Sequence, residues 1–142
     1  MIEVSGDRPE EVAAFVLEKL QQKREDIRAF TALGAYDNGK LIGGFIYTNY
    51  RQIGDSGFWS IDMHMAGEPG WLSRKTLRAF HFYPFFELKC SRVVGSVRAE
   101  NDHARHIASR LGAKLDGIIR SGIAPQYDTY VYTMTRQECP WF

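Results

Sequence analysis

The chain has 142 residues, enough for one domain with one core and too few for two ordinary domains. Hydrophobic residues at 44% and charged residues at 25% exclude a disordered chain. The 18 basic side chains nearly cancel the 17 acidic ones, so no global field draws the protein onto nucleic acid or membrane, and only a local basic patch could.

Ile2 to Val4 reads as a short first strand closed by Gly6 and Asp7. Asp7 as N-cap, Pro9 in the first turn, and Glu10 and Glu11 near the positive helix end predict a helix. Val12, Phe15, Val16 and Leu20 recur at helical spacing and extend it from Pro9 to Arg24. From Ala29 the period changes. Phe30 to Tyr36 and Leu41 to Tyr50 read as two strands joined at Asp37-Asn38-Gly39-Lys40, where Asn38 and Gly39 supply the positive φ angles of a tight hairpin turn. After a looser turn at Gly54 to Gly57, Phe58 to Met65 reads as a third alternating strand. Trp59, Ile61, Met63 and Met65 share one face, and Ser60, Asp62 and His64 the other.

Ala66 to Gly70 breaks that strand, and Ser73 caps an expected helix to Leu88 with a kink at Pro84. Arg92 to Arg98 is a short apolar strand. Asn101-Asp102 opens a further helix, with Ala104, Ile107, Ala108 and Leu111 on one face and Gly112 at its C′ position. Lys114 to Arg120 and Asp128 to Arg136 close the chain as two strands around a turn at Gly122–Pro125. The expected fold is one mixed α/β (α+β) domain over residues 1–142, a mostly antiparallel central sheet flanked by about three helices.

Cys90 and Cys139 form neither a CxxC motif nor a metal cluster with His64, His81, His103 or His106, so they read as reduced packing thiols of a cytosolic protein. His103 and His106 share a helix but lack an acidic or thiol partner at metal-binding spacing, and no metal site is expected. No basic flank precedes an apolar run at the N-terminus, and no stretch approaches the ~18 apolar residues of a membrane span.

The second half carries a set of residues in register: Tyr83-Pro84-Phe85, then Asn101, Ala104 and Leu111-Gly112, then Asp116-Gly117-Ile118-Ile119-Arg120, then a last strand from Asp128 to Met134. Together with the element order, they resemble the GNAT superfamily of acyl-CoA-dependent acyltransferases, in particular the RimJ/RimL-like branch that acetylates ribosomal-protein N-termini. The resemblance covers roughly residues 30 to 142. Two departures stand out. The family's cofactor loop usually reads Gln/Arg-x-x-Gly-x-Gly/Ala, whereas Gly67 to Leu72 keeps only the middle glycine, Gly70. The N-terminal part has one helix where the family usually has two, which implies a more open acceptor site.

The resemblance implies an N-acetyltransferase with acetyl-CoA as co-substrate and a primary amine as acceptor, on a protein N-terminus, a lysine or a small molecule. A CoA pyrophosphate needs cations and unpaired N–H groups, which a helix N-terminus offers; Gly70, Ser73, Arg74 and Lys75 lie there. The backbone N–H groups around Met63 and Met65 are then expected to polarise the thioester carbonyl. Asp62 and His64 are the candidate bases, polar and near the cofactor loop, with Glu68 a third choice. Asn101 is expected to bond the pantetheine arm, to cap the next helix, or both, and Arg105 to reach a phosphate. The tyrosine that many family members place in the last helix falls at Ala108; Tyr130 and Tyr132 are the substitutes at hand.

A second resemblance, to the phage Mom DNA-modification family, implies a nucleic-acid partner. Arg74, Lys75, Arg78, Lys89 and Arg92 would supply cations, and Tyr47, Tyr50, Trp59 and Trp71 stacking surfaces. Apolar Ile118, Ile119, Ile123, Trp141 and Phe142 would suit a homodimer contact.

Overall fold

The computed structural model describes residues 1–124 and 127–142, without the side chains of residues 122–124. The turn expected at Gly122–Pro125 and the side chain of Ile123 therefore fall partly or wholly outside the described residues. The elements follow the expected order: β1 (Ile2–Ser5), α1 (Pro9–Lys19), β2 (Phe30–Asp37), β3 (Lys40–Ile53), β4 (Phe58–Gly67), α2 (Arg74–Phe82), β5 (Arg92–Arg98), α3 (Asp102–Arg110), β6 (Lys114–Ala124) and β7 (Tyr127–Thr135). The strands form one 7-stranded sheet in the order β1-β2-β3-β4-β5-β7-β6. Among the described residues, β4 and β5 are its one parallel pair. No helix is long and apolar enough to cross a membrane.

Local chemistry explains most element ends. Asn38 and Gly39 sit at φ 50° and 87°, so the turn between Asp37 and Lys40 is the tight primed hairpin their side chains favour. At α1 the structure corrects the reading at both ends. Arg8, not Asp7, holds the N-cap position, without a side-chain bond. The helix also stops well before Arg24: Gln21 N–H bonds Glu18 O at 3.1 Å and Gln22 N–H bonds Leu17 O at 2.9 Å, with Gln21 at φ 57°. That is a Schellman turn made without glycine.

Over β2 to β4 the sheet is covered on both faces. Val12, Ala13, Val16 and Leu17 of α1 cover Ala32 and Ile46 on one side. Phe80 of α2 and Phe85, which follows it, cover Ala35, Phe45, Tyr47, Ile61 and Val93 on the other. Arg105 lies over the Tyr130 ring and Gly112 beside Met134, placing α3 on the same side as α2.

Pro84 produces more than the expected kink. It lacks the N–H that would bond the carbonyl of Phe80. The chain responds with a π-helical turn over Tyr83–Glu87, and the hydroxyl of Tyr47 donates to Phe80 O at 2.6 Å. Tyr47 is buried, and burial raises its pKa well above the usual tyrosine range, so it remains a protonated donor. Tyr47→Phe is therefore expected to cost about 1–3 kcal/mol, the penalty of a buried carbonyl left unpaired. In a Pro84→Ala background, where position 84 regains an N–H, the cost is expected to shrink. Urea unfolding of the wild type, both single variants and the double variant measures the coupling.

Candidate active site

The candidate site begins where the parallel pairing stops. β4 and β5 are in register at Ser60–Arg92, Ile61–Val93 and Asp62–Val94, and no pair follows. Beyond Asp62, the residues Met63 to Gly67 stay paired to β3 through Tyr47–Met63 and Phe45–Met65. Gly95 to Arg98 stay paired to β7. The two strands thus diverge toward their carboxyl ends and leave a wedge-shaped split in the sheet. A Cβ built on Gly95, the residue after the last pair, meets nothing within 4 Å, so the sheet face above β5 is uncovered at this point.

Both strands feed a helix at that end, which brings the N-termini of α2 and α3 to the mouth of the split. Unpaired N–H groups and the helix dipole favour anions at such ends. At α2, Ser73 accepts from Thr76 N–H at 3.2 Å, and Thr76 Oγ1 accepts from Ser73 N–H at 2.8 Å. This capping box leaves the N–H groups of Arg74 and Lys75 at the open end. At α3, Asn101 Oδ1 accepts from Ala104 N–H at 3.1 Å.

The loop between β4 and α2 is held from beneath by Trp71. Its buried ring lies against the bare Cα positions of Gly43 and Gly67, where an added Cβ would come within 2.2 Å and 2.5 Å of it. Phe45 and Phe80 complete its seat, with ring centroids at 5.7 and 5.5 Å. Glu68 N–H bonds Ile42 O at 2.7 Å, and the Glu68 carboxylate is paired with Lys19 at 3.1 Å. Gly70 takes φ +86°, a conformation that favours glycine, and its outer side is open.

On the α1 side of β4 lie the two candidate bases. His64 Nε2 is 3.0 Å from Thr48 Oγ1. Burial pushes the His64 pKa below the usual histidine value, against the opposing pull of Asp62, so the ring is neutral near pH 7. Asp62 is already engaged: Arg51 Nη1 donates to it at 3.1 Å and Asn49 Nδ2 at 3.2 Å. A β-bulge between Thr48 and Arg51 turns both partners toward it.

No family model and no curated protein sequence matches the chain. Solved structures do. An acetyltransferase of the GNAT family from Streptococcus pneumoniae superposes at a TM-score of 0.69 with 15% identity, over 95% of this chain and 99% of that one. A mutant of the spermidine N-acetyltransferase SpeG from Vibrio cholerae gives 0.70 with 14% identity, over 96% and 94%. Mycobacterium smegmatis RimJ in complex with CoA-disulfide gives 0.64 with 14% identity, over 92% of this chain and 62% of that one. The chain has the GNAT fold. The expected mixed, mostly antiparallel sheet with about three flanking helices is that of this fold.

Met63 and Met65 lie on β4 beyond its last pair with β5, Gly70, Ser73 and Arg74 in the loop and first turn that follow β4, and Asn101 at the cap of α3, with Asp62 and His64 on the opposite face of β4 from Met63 and Met65. Arg74 is exposed and makes no ion pair among the described residues. Lys75 points elsewhere: its Nζ lies 3.5 Å from Ile2 O, on the β1 side of α2. Arg105 is tied down, donating to Ala99 O at 3.2 Å and lying 4.1 Å over the Tyr130 ring. Its guanidinium also pairs with the Asp102 carboxylate at 3.6 Å, and the neighbouring Tyr132 raises the arginine pKa further. Of the aromatics that could stack on bases, Tyr47 and Trp71 are buried, and Tyr50 and Trp59 stack on each other at 4.7 Å.

Sequence reasoning missed Thr48, Asn49, Arg51, Gly95 and the seat of Trp71. The β3–β4 pairing, continued through the bulge at Asn49, would have been needed to find the first three. Gly67→Ala is expected to cost about 1–3 kcal/mol because its methyl would overlap Trp71. In a Trp71→Ala background the added cost is expected to vanish. Thermal and denaturant unfolding of the four proteins checks it.

Proposed function

We propose that the chain is a cytoplasmic N-acetyltransferase that moves an acetyl group from acetyl-CoA to a primary amine by direct attack. The observation that carries this reading is the open β4–β5 split with two helix N-termini at its mouth. The residues present fit a CoA thioester. The open side of Gly70 and the uncapped N–H groups of Arg74 and Lys75 suit a pyrophosphate, and the unpaired edges of β4 and β5 beyond Asp62–Val94 suit a narrow, amide-bearing arm. The names of the solved neighbours, a spermidine N-acetyltransferase and RimJ in complex with CoA-disulfide, support the same class of co-substrate and acceptor.

Acetyl-CoA bound there supplies an activated acetyl group and a thiolate leaving group. The backbone edge of β4 around Met63 to Met65 faces the split and offers N–H donors to the carbonyl oxygen as charge develops on it. His64 is the base. Its Nε2 is occupied by Thr48, and its Nδ1 has no partner among the described residues. Burial keeps it neutral, ready to take the proton of the attacking amine. Asp62, held by Arg51 and Asn49, orients the strand and opposes full loss of histidine basicity. A C–N bond forms, the C–S bond breaks with its electron pair leaving on sulfur, and the thiolate takes a proton from water. Neither cysteine serves as a covalent relay in this scheme: Cys90 is fully buried, and burial pushes its thiol up to about 11. The acceptor is a protein N-terminus, a lysine or a small amine.

His64→Gln is expected to lower kcat by about 10²–10⁴-fold with little change in acetyl-CoA affinity, while Cys90→Ser leaves kcat unchanged. The sign of the pH dependence follows from burial. A base whose pKa is lowered from 6.5 stays active as pH falls to 6.5, and the acid limb of kcat/KM lies below that value. CoA release with a polyamine and with an N-terminal peptide, followed across pH, measures all three. Absence of acetyl-CoA binding at millimolar concentration by calorimetry would overturn the reading.

A further inference from the structure

We propose that the outer face of α2, with the groove between it and β1, docks an acidic segment of a partner protein that carries an apolar anchor. The surface lies on the β1 side of α2, away in sheet order from the β4–β5 split, and does not depend on the acyltransfer chemistry.

The solvent side of α2 and its π-helical extension does not read as an ordinary polar face. Lys75, Arg78, Phe82 and Phe86 follow one another at helical spacing and are all exposed. Phe82 and Phe86 are 42% and 43% exposed, and Phe142 beside them is 40% exposed. The three rings form one patch, with centroids 5.1 Å apart for Phe82–Phe86 and 4.8 Å for Phe86–Phe142. Contiguous exposed apolar surface of this kind marks an interaction site more often than scattered single residues do. Between this ridge and the first two strands runs a groove of ≈ 340 Å³ with Val4, Leu33 and Ala79 among its lining, room for an aliphatic or aromatic side chain.

Charge selects the occupant. Arg78 and Lys75 stand on the groove wall with Glu87, and none of the three forms an ion pair among the described residues. Arg78 also lies 5.9 Å over Phe142, and Arg136 lies 5.8 Å over Phe86. With Lys75, Arg78 and Arg136 against the single carboxylate of Glu87, the patch joins apolar surface to an excess of positive charge, and its complement is apolar and acidic. A second copy of this chain fits poorly, because a two-fold contact would set the Arg78 and Lys75 of one copy against those of the other. Nucleic acid fits poorly as well. Base stacking needs free ring faces, whereas Phe82 and Phe86 stack on each other and Phe142 meets Phe86 at 88°. A lipid surface would contact the ridge but leave the groove unfilled. An extended peptide fills both, with its apolar residue in the groove and its carboxylates against Arg78 and Lys75.

The test is fluorescence anisotropy of the whole chain with a labelled peptide of alternating glutamate and leucine, at low and high salt. Micromolar binding that weakens with salt is expected, reduced about tenfold by Arg78→Glu and again by Phe82→Ser. A peptide with lysine in place of glutamate is expected to favour the Arg78→Glu variant. Both substitutions are on exposed positions, and unchanged acetyl-CoA affinity and unfolding midpoint in the variants separate loss of docking from loss of fold or of the proposed activity. The inference is overturned by no binding of the acidic peptide or by binding indifferent to both substitutions. Preferential binding of oligothymidylate or of anionic vesicles overturns it too, as does self-association that Phe82→Ser abolishes.

Discussion

Everything in the site depends on how briefly β4 and β5 pair. Their parallel ladder ends at Asp62–Val94, while each strand stays fully engaged with its other neighbour. A sheet that opens in this way leaves backbone groups on two facing edges, and buried backbone polar groups need partners. Water can serve them, and so can a ligand that carries amides of its own. On the proposed reading, the pantetheine arm of acetyl-CoA takes that place. The same opening brings the N-termini of α2 and α3 to one mouth, so that the anionic part of such a ligand meets unpaired N–H groups rather than side chains alone.

Opening a sheet weakens it locally, and the fold compensates on the α2 side. Trp71 lies on the bare backbone of Gly43 and Gly67, so the loop after β4 is held by close packing rather than by a family-like run of glycines. Tyr47 reaches from β3 to the Phe80 carbonyl that Pro84 leaves without a helical donor. These two contacts fix α2 in height and direction over the sheet, and with it the Ser73 cap that faces the split. On the proposed reading, the irregular loop is a different solution to the same positioning problem, with open space around Gly70 at the turn where a phosphate would approach.

The legible parts of the sequence were the local ones. The Asn38–Gly39 turn, the Ser73 and Asn101 caps and the Gly112 stop are set by a few neighbouring residues, and the structure has them where the chain pattern puts them. The end of α1 was not legible, because Gln21 adopts the left-handed conformation that glycine usually marks. The split itself carries no local signal, since it depends on where a strand beyond a crossover comes to lie. The direction of Lys75 was also hidden: it sits next to Arg74 in sequence but one helical step round, toward β1. For the same reason the bond from Thr48 to His64 and the grip of Arg51 on Asp62 emerge only with the bulge in β3.

The central claim is that the β4–β5 split, rather than another surface, receives acetyl-CoA. Hydrogen exchange of the chain with and without acetyl-CoA tests it most directly, because the claim concerns named backbone amides. The account predicts added protection confined to Met63–Gly67, the loop at Gly70 and the first turns of α2 and α3, with β1 and β6 unchanged. Protection elsewhere with these amides unaltered, or none at saturating acetyl-CoA, would contradict it.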